Sequence, residues 1–562
     1  MGHGPVLGSI NKVQSATTPD IDPKEFAGFS YLLGDPGARD RSQWGNNLVA
    51  SHGLFSRLVR ALPGSTFGLW SGPLGNGVER NENPFLPSGY TYLLQFIAHD
   101  MMLTSMPFWA AADLGVDSEN CRASGLVLDA LYGGGPIACP AAFQTTPSMD
   151  ENRYLLRLGR VAPAQGACPF RDLARVNVEN GFASGGGDSI NFDQAYQVNI
   201  ADPRNDDGII LTQLTVLFAL AHNIIAQNVQ AVAKPEARFA YARAAMLLIY
   251  HAIIRGDLLP RLLHPYVWNL IKERPADSTD WLWQRQGLPL EFSHGAFRVG
   301  HAMVRPGYTI NATLPGQRPL SEIIGHNQPE NGAAGSWRTP LETKPNWILQ
   351  WSYFFKLTAR DPNYSLRIGP SRTSLDLPGL FAFPERPGPN DSFTSLRDFL
   401  SAAAARTWTI DAMITNLSRR SPSLIPAGWL FSFPDKRQAA IADWFRRNGN
   451  SGRLPNASLT PAEVVQLSAD PPLPLFILLE AGLDPGVEGR SMGVLGSIIV
   501  GEVLCKRLAE ESARLRALKS ACQGALPARL WSSIIGIDAM PKLVSFVAEF
   551  AGLSGGATPP FI

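Results

Sequence analysis

The chain has little charge, few cysteines and no unbroken apolar stretch of membrane-spanning length. Charged residues make up 17% of its 562 positions and the formal net charge is +1. That balance gives no sign of a nucleic-acid surface, a polybasic membrane patch or an acidic tail, and no nucleic-acid partner is expected. The five cysteines (121, 139, 168, 505 and 522) are odd in number and widely spaced, with no CxxC pair. They rule out a zinc ribbon and a dense disulfide framework. The longest apolar run, around Leu211–Ala221, is interrupted by Gln213 and His222. It falls short of the ~18 residues a span needs, so no transmembrane segment is expected. The opening Met1-Gly-His-Gly-Pro5 lacks the charged region and apolar core of a secretory signal. No Ser or Thr stands at position six to complete a myristoylation pattern. The compartment stays open: cytoplasmic, or exported by a route without a signal peptide. Period-2 strand patterns are scarce, and no repeat recurs at a fixed period.

What is present is apolar and helical. Hydrophobic residues form 45% of the chain, and its length allows a large core. The pattern predicts a mainly α fold: one large domain over 85–552, with long loops and few short strands. A Gly-, Pro- and Ser-rich arm over 1–84, with one amphipathic piece at Gly53–Leu62, wraps that domain, and 553–562 forms a tail. Helices are expected near Tyr90–Thr104, Ile209–Val232, Glu236–Leu258, Gly295–Val304 and Ser395–Asn416, with others towards the C-terminus. Residues 134–200 read mostly as loop with a tip at Gly185-Gly-Gly187, and loops of that size tend to be functional.

Three stretches carry chemistry. In the first helix, Gln95 and His99 lie four apart and share a face, while Asp100 points elsewhere. Arg204 sits in a helix's first turn, where its charge opposes the helix dipole. His301 has Arg298 three residues before it and Gly300 beside it, which lets a flat group approach the backbone. A haem iron takes one imidazole nitrogen, the other nitrogen needs an acceptor, and the propionates want arginine.

In order, the chain contains Gln95-Phe-Ile-Ala-His-Asp100, Asp202-Pro-Arg-Asn-Asp-Asp207, Phe297-Arg-Val-Gly-His301, Arg305-Pro-Gly-Tyr308, Asn416-Leu-Ser-Arg-Arg420 with Pro426-Ala-Gly428, and Met492-Gly-Val-Leu-Gly496. This ordered set, spanning about 85–510, resembles the animal-type haem peroxidase (peroxidase–cyclooxygenase) superfamily, in its microbial branch. The resemblance implies haem b and an enzyme that reduces hydrogen peroxide while oxidising a small organic, phenolic or halide reductant by single electrons. It implies His99 as distal base, Gln95 as the residue ordering a distal water or halide, and Arg204 as distal cation. It makes His301 the iron ligand and Asn416 the acceptor of its second ring N–H. Arg298 and Arg419 would hold propionates.

The departures from the family pattern bear on haem attachment and calcium. Ala98 stands where mammalian members carry an ester-forming Asp, and Asp207 where they carry the second, longer, ester-forming Glu. The haem is therefore expected to be unlinked, or partly linked through Asp207 at most. Asp100 matches a calcium ligand, but Val127 and Ala123 stand where oxygen ligands are expected. Calcium needs six to eight oxygens, so the ion is not assured. Two rival readings are a fatty-acid dioxygenase and a non-catalytic binding or adhesion protein on the same scaffold. Arg298 in place of a radical-forming Tyr argues against the first, and the joint presence of His99, Arg204 and His301 argues against the second.

Overall fold

Nearly every residue of the helix Ile209–Gln227 is buried, polar ones included. The computed structural model describes residues 28–63, 81–106, 108, 111, 118–122, 125–144, 153–161, 170–178, 195–230, 235–284, 287–325, 345–371, 393–448, 458–553 and 560–562. The Gly185-Gly-Gly187 tip and Ala123 lie outside these residues. The architecture is mainly α, as the sequence pattern predicts, with strands confined among the described residues to five two-stranded pairings. The central helix contacts the helices Gly89–Met101, Pro235–Ile253 and Met540–Phe550. By length and composition, Ile209–Gln227 and Glu236–Leu262 could each cross a membrane, which a search for unbroken apolar runs does not detect. Here 89% and 67% of their apolar windows are buried against the rest of the protein.

The helix Gly89–Met101 is set in place at its start. A side chain at Gly89 would collide with Phe355 and the Phe354 carbonyl, so only glycine lets the two segments touch. One residue on, the Tyr90 hydroxyl donates to Asp257 Oδ2 at 2.6 Å. Asp257 lies in a π-helical turn, Ile254–Leu258, which interrupts the long helix expected over this region, and the same oxygen accepts the Met540 N–H. The helix ends at Met101, earlier than predicted. Beyond it the Leu103 N–H turns to the Asn120 side chain and Thr104 bridges Asn120.

Two segments predicted as ordinary helices take other forms. Ala296–Met303 is a 3₁₀ helix whose preceding Gly295 has no room for a Cβ against the Glu291 carbonyl and Leu473. The stretch expected as one helix over Ser395–Asn416 is two, Thr394–Ala404 and Ile410–Arg420. The break is forced at Arg406, a non-glycine residue at φ 51°. Thr409 then caps the second helix by accepting the Ala412 N–H, and the Trp408 indole donates to the Gly34 carbonyl.

The N-terminal segment is fastened to the same region. Phe29–Ser30 pairs in parallel with Leu288–Pro289, and the buried Glu291 carboxylate accepts the Leu32 N–H at 2.9 Å. The helix Leu48–Ala61 buries Leu54, Phe55 and Leu58, and Phe55 meets Phe399 of Thr394–Ala404 edge-on. At the other end, Phe561 stacks on Phe170 and its carbonyl accepts the Trp351 N–H.

Candidate functional site

Several segments wall one cavity of about 450 Å³, four of them with the groups that matter most to its chemistry. The helix Gly89–Met101 contributes Gln95, Ala98 and His99. The turn after Asp202 contributes Arg204 and Asp207, and the 3₁₀ helix contributes Arg298, Gly300 and His301. Thr394, Arg397 and Asp398 come from Thr394–Ala404, spaced so that one helix face looks inward.

His99 is buried, and its Nδ1 lies 2.8 Å from Asn205 Oδ1. The Asn205 amide donates its Nδ2 to the Ala130 carbonyl, so its oxygen faces the ring and must accept. That fixes the tautomer: Nδ1 carries the proton and Nε2 keeps a lone pair. Burial, and then the Arg204 guanidinium, push the ring's pKa down to about 4, so it is a neutral base. Sequence reading did not select Asn205, which lies 106 positions away; its place directly after Arg204 is the one available signal.

Arg204 is held on two sides. Its Nε donates to Asp202 Oδ1 at 3.0 Å, and Nη2 donates to Asp202 Oδ2 at 2.6 Å and to the His99 carbonyl at 3.1 Å. Arg122 grips the same carboxylate. Burial alone would raise the Asp202 carboxyl, but the bonds and charge of Arg204 outweigh it and hold it at about 2. Two guanidinium groups on one carboxylate leave a net positive charge beside His99. Asp207 follows in the same wall, its carboxyl pushed up to about 6 by burial and then by the neighbouring Asp206.

His301 corrects one expectation. Its Nδ1 lies 2.8 Å from Asp398 Oδ2, so its acceptor is a carboxylate 97 residues on. Asn416 is elsewhere: its Nδ2 donates to the Ala412 carbonyl and its Oδ1 accepts from Arg419 at 2.6 Å. The turn at Arg406 is the reason, since it directs Ile410–Arg420 away and leaves Asp398 of the preceding helix beside the ring. Arg419 is exposed and does not line the cavity. The residue placed by the first helix is Arg397, and with it Thr394, whose buried hydroxyl has no partner among the described residues. Arg298 lines the same cavity: Nε donates to the Ser293 carbonyl, and Nη1 lies 3.6 Å from Asp398 Oδ1. His222 is structural, bonded to the Tyr132 hydroxyl and the Tyr154 carbonyl. His294, not singled out from sequence, also lines the cavity and packs on Phe108.

Residues 171–331, which include Arg204, Asp207, Arg298 and His301, match the model of the animal haem peroxidase family. That stretch is similar in sequence to animal haem peroxidases. No curated protein matches it in sequence. Among solved structures it is similar to fatty acid alpha-dioxygenase from Oryza sativa, at 10% identity and TM-score 0.50, covering 97% of this chain and 85% of that one. Peroxidase A from Dictyostelium discoideum aligns at 13% identity and TM-score 0.49, over 100% of this chain and 99% of that one.

The residues of this matched segment and its surroundings fit a haem. Among the described residues, neither His99 Nε2 nor His301 Nε2 has a hydrogen-bond partner, and both rings line the cavity. Arg298, Arg397 and the unpartnered Thr394 hydroxyl are the donors that carboxylate tails require. Ala98 and Gly300 leave room for a flat ring. The calcium site does not fit. Asp100 spends its oxygens on the Leu128 and Ala130 N–H groups, at 3.0 and 3.3 Å. The Val127 carbonyl accepts from Arg243, whose guanidinium also lies 3.7 Å from Asp129. A cation already stands where an ion would need oxygens, and no group of three or more His, Cys, Asp or Glu among the described residues could hold a metal.

Proposed function

We propose that the chain is a haem-dependent peroxidase that reduces hydrogen peroxide and oxidises small aromatic or phenolic donors. The observation that carries the reading is the pair of histidines on one cavity, one ring committed through Nδ1 to a carboxylate and the other to an amide. His301 Nε2 would be the iron ligand, and Arg298, Arg397 and Thr394 would hold the propionates. A haem bound there would supply the one-electron redox chemistry. The rest is done by the protein. His99 Nε2 takes a proton from the bound end of peroxide and delivers it to the departing oxygen, which general-base geometry and a neutral ring allow. The fixed positive charge of the Arg204–Asp202–Arg122 cluster stabilises the charge that develops on that oxygen. Arg298, three residues before His301, offers no phenol for radical formation, which favours peroxidase over dioxygenase chemistry. The test is direct. Protein reconstituted with haem should show a histidine-ligated absorption spectrum and peroxide-dependent oxidation of a simple phenol. Acid–organic extraction should recover unmodified haem b, because Ala98 cannot form an ester and Asp207 is short. A protein that binds no haem, or binds it without turning over peroxide, ends this reading.

The protonation state of His99 sets a pH profile. A ring held near 4 rather than 6.5 stays neutral through the mildly acidic range, so the folded protein keeps its base as pH falls. The kcat/KM for peroxide should be level between about pH 7 and 5, and fall roughly tenfold per unit below about 4. An acid limb centred near 6.5 would show that the buried, arginine-flanked environment does not act on His99.

A further inference from the structure

We propose that Asp398 is a positioning residue that sets the charge of the His301 ring, and through it the redox preference of whatever iron His301 holds. The inference rests on the haem reading above and adds to it a residue that governs the metal without touching it. Three observations carry it. First, Oδ2 of Asp398 accepts the His301 Nδ1 proton at 2.8 Å, a distance typical of a charged hydrogen bond. Second, the carboxylate is 5% exposed, so water does little to spread its charge. Third, its other oxygen, Oδ1, has no hydrogen-bond partner; Arg298 Nη1 stands at 3.6 Å on a side chain that is 32% exposed, and the neighbouring Arg397 acts on the carboxylate through its charge. A buried carboxylate with one short donor and an unbonded second oxygen draws on that donor. The His301 proton is therefore pulled towards Asp398, and Nε2 becomes a stronger electron donor.

An amide acceptor in the same place would orient the ring equally well. It would not do this, because an amide oxygen carries no net charge to shift the proton. The difference is therefore electronic and separable from geometry. A ring with anionic character stabilises ferric iron over ferrous iron, and it resists the loss of oxidising equivalents by simple reduction. Arg298 moderates the effect without cancelling it, since its contact is longer and more exposed to screening.

The experiment uses the full chain reconstituted with haem. Asp398→Asn keeps the size of the side chain and an oxygen that can accept from Nδ1, and removes the charge. The ferric–ferrous equilibrium, measured by spectroelectrochemical titration, should move towards ferrous by at least tenfold, about 59 mV for a one-electron couple. The iron–histidine stretch of the ferrous protein should drop in the same variant, and Asp398→Glu should restore both towards the parent values. A histidine-ligated Asp398→Asn protein with an unchanged midpoint overturns the proposal and assigns Asp398 an orienting role alone. Should that variant fail to fold, the parent protein decides: an iron–histidine stretch at the frequency of a neutral imidazole overturns it, and one at the imidazolate-like frequency supports it. Failure of the haem reading looks different, because the parent protein would then show no histidine-ligated spectrum at all.

Discussion

His301→Ala should abolish stoichiometric haem binding while the helical fold survives. Removing the ring takes away the only imidazole among the cavity-lining residues whose second nitrogen is anchored to a carboxylate. What remains, Arg298, Arg397 and Thr394, can attract propionates but offers nothing to the iron. The substitution also strands Asp398, a buried carboxylate left with Arg298 at 3.6 Å, and an unpaired buried charge is costly. The double variant His301→Ala, Asp398→Asn removes that charge and separates loss of ligand from loss of stability. Titration with haem, followed by absorbance in the Soret region and by circular dichroism, reads both quantities. Haem bound at full stoichiometry in either variant, with a histidine-ligated spectrum, would remove His301 from the site.

The parts of this site readable from sequence are those in which one residue type in a short motif has one job. Gln95, His99, Arg204, Asp207, Arg298 and His301 each line the cavity that the motifs imply. The parts that were not readable are the partners, and the reason is physical. Asn205 and Asp398 lie 106 and 97 residues from the rings they bond, so no local spacing reports them. Asn416 was misplaced because the apolar pattern over Ser395–Asn416 runs on as though one helix continued. The chain instead turns at Arg406, whose left-handed φ of 51° a periodicity argument cannot anticipate in a non-glycine residue. Similarly, Asp100 reads as a possible calcium ligand until its oxygens are seen capping Leu128 and Ala130. Arg243, from a helix more than a hundred residues on, completes that arrangement. The mainly α fold was legible because its helices are long and strongly apolar. The 3₁₀ form of Ala296–Met303 and the π turn at Ile254–Leu258 were not, since apolar spacing over one or two turns does not tell these helices from an α-helix.

His99→Ala should keep haem and lose the chemistry. Its ring contributes no bond to iron in this arrangement, so His301 and the propionate donors are untouched. What disappears is the one neutral base fixed in tautomer by Asn205, and a positioned general base is worth at least ~100-fold in rate. The reaction of the haem protein with peroxide, followed by stopped-flow absorbance, should therefore slow by at least ~100-fold with an unchanged haem content. The pairing with His301→Ala gives the test its force: one variant fails at binding, the other at proton transfer. Arg204 should not compensate, because its Nε and Nη2 are already committed to Asp202 and to the His99 carbonyl, and a guanidinium does not give up its proton in this pH range. Equal haem loss in both variants would mean that His99 is a ligand or a structural residue. Undiminished peroxide reactivity in His99→Ala would place the base elsewhere in the cavity, with Asp207, whose carboxyl is raised to about 6, the next group to examine.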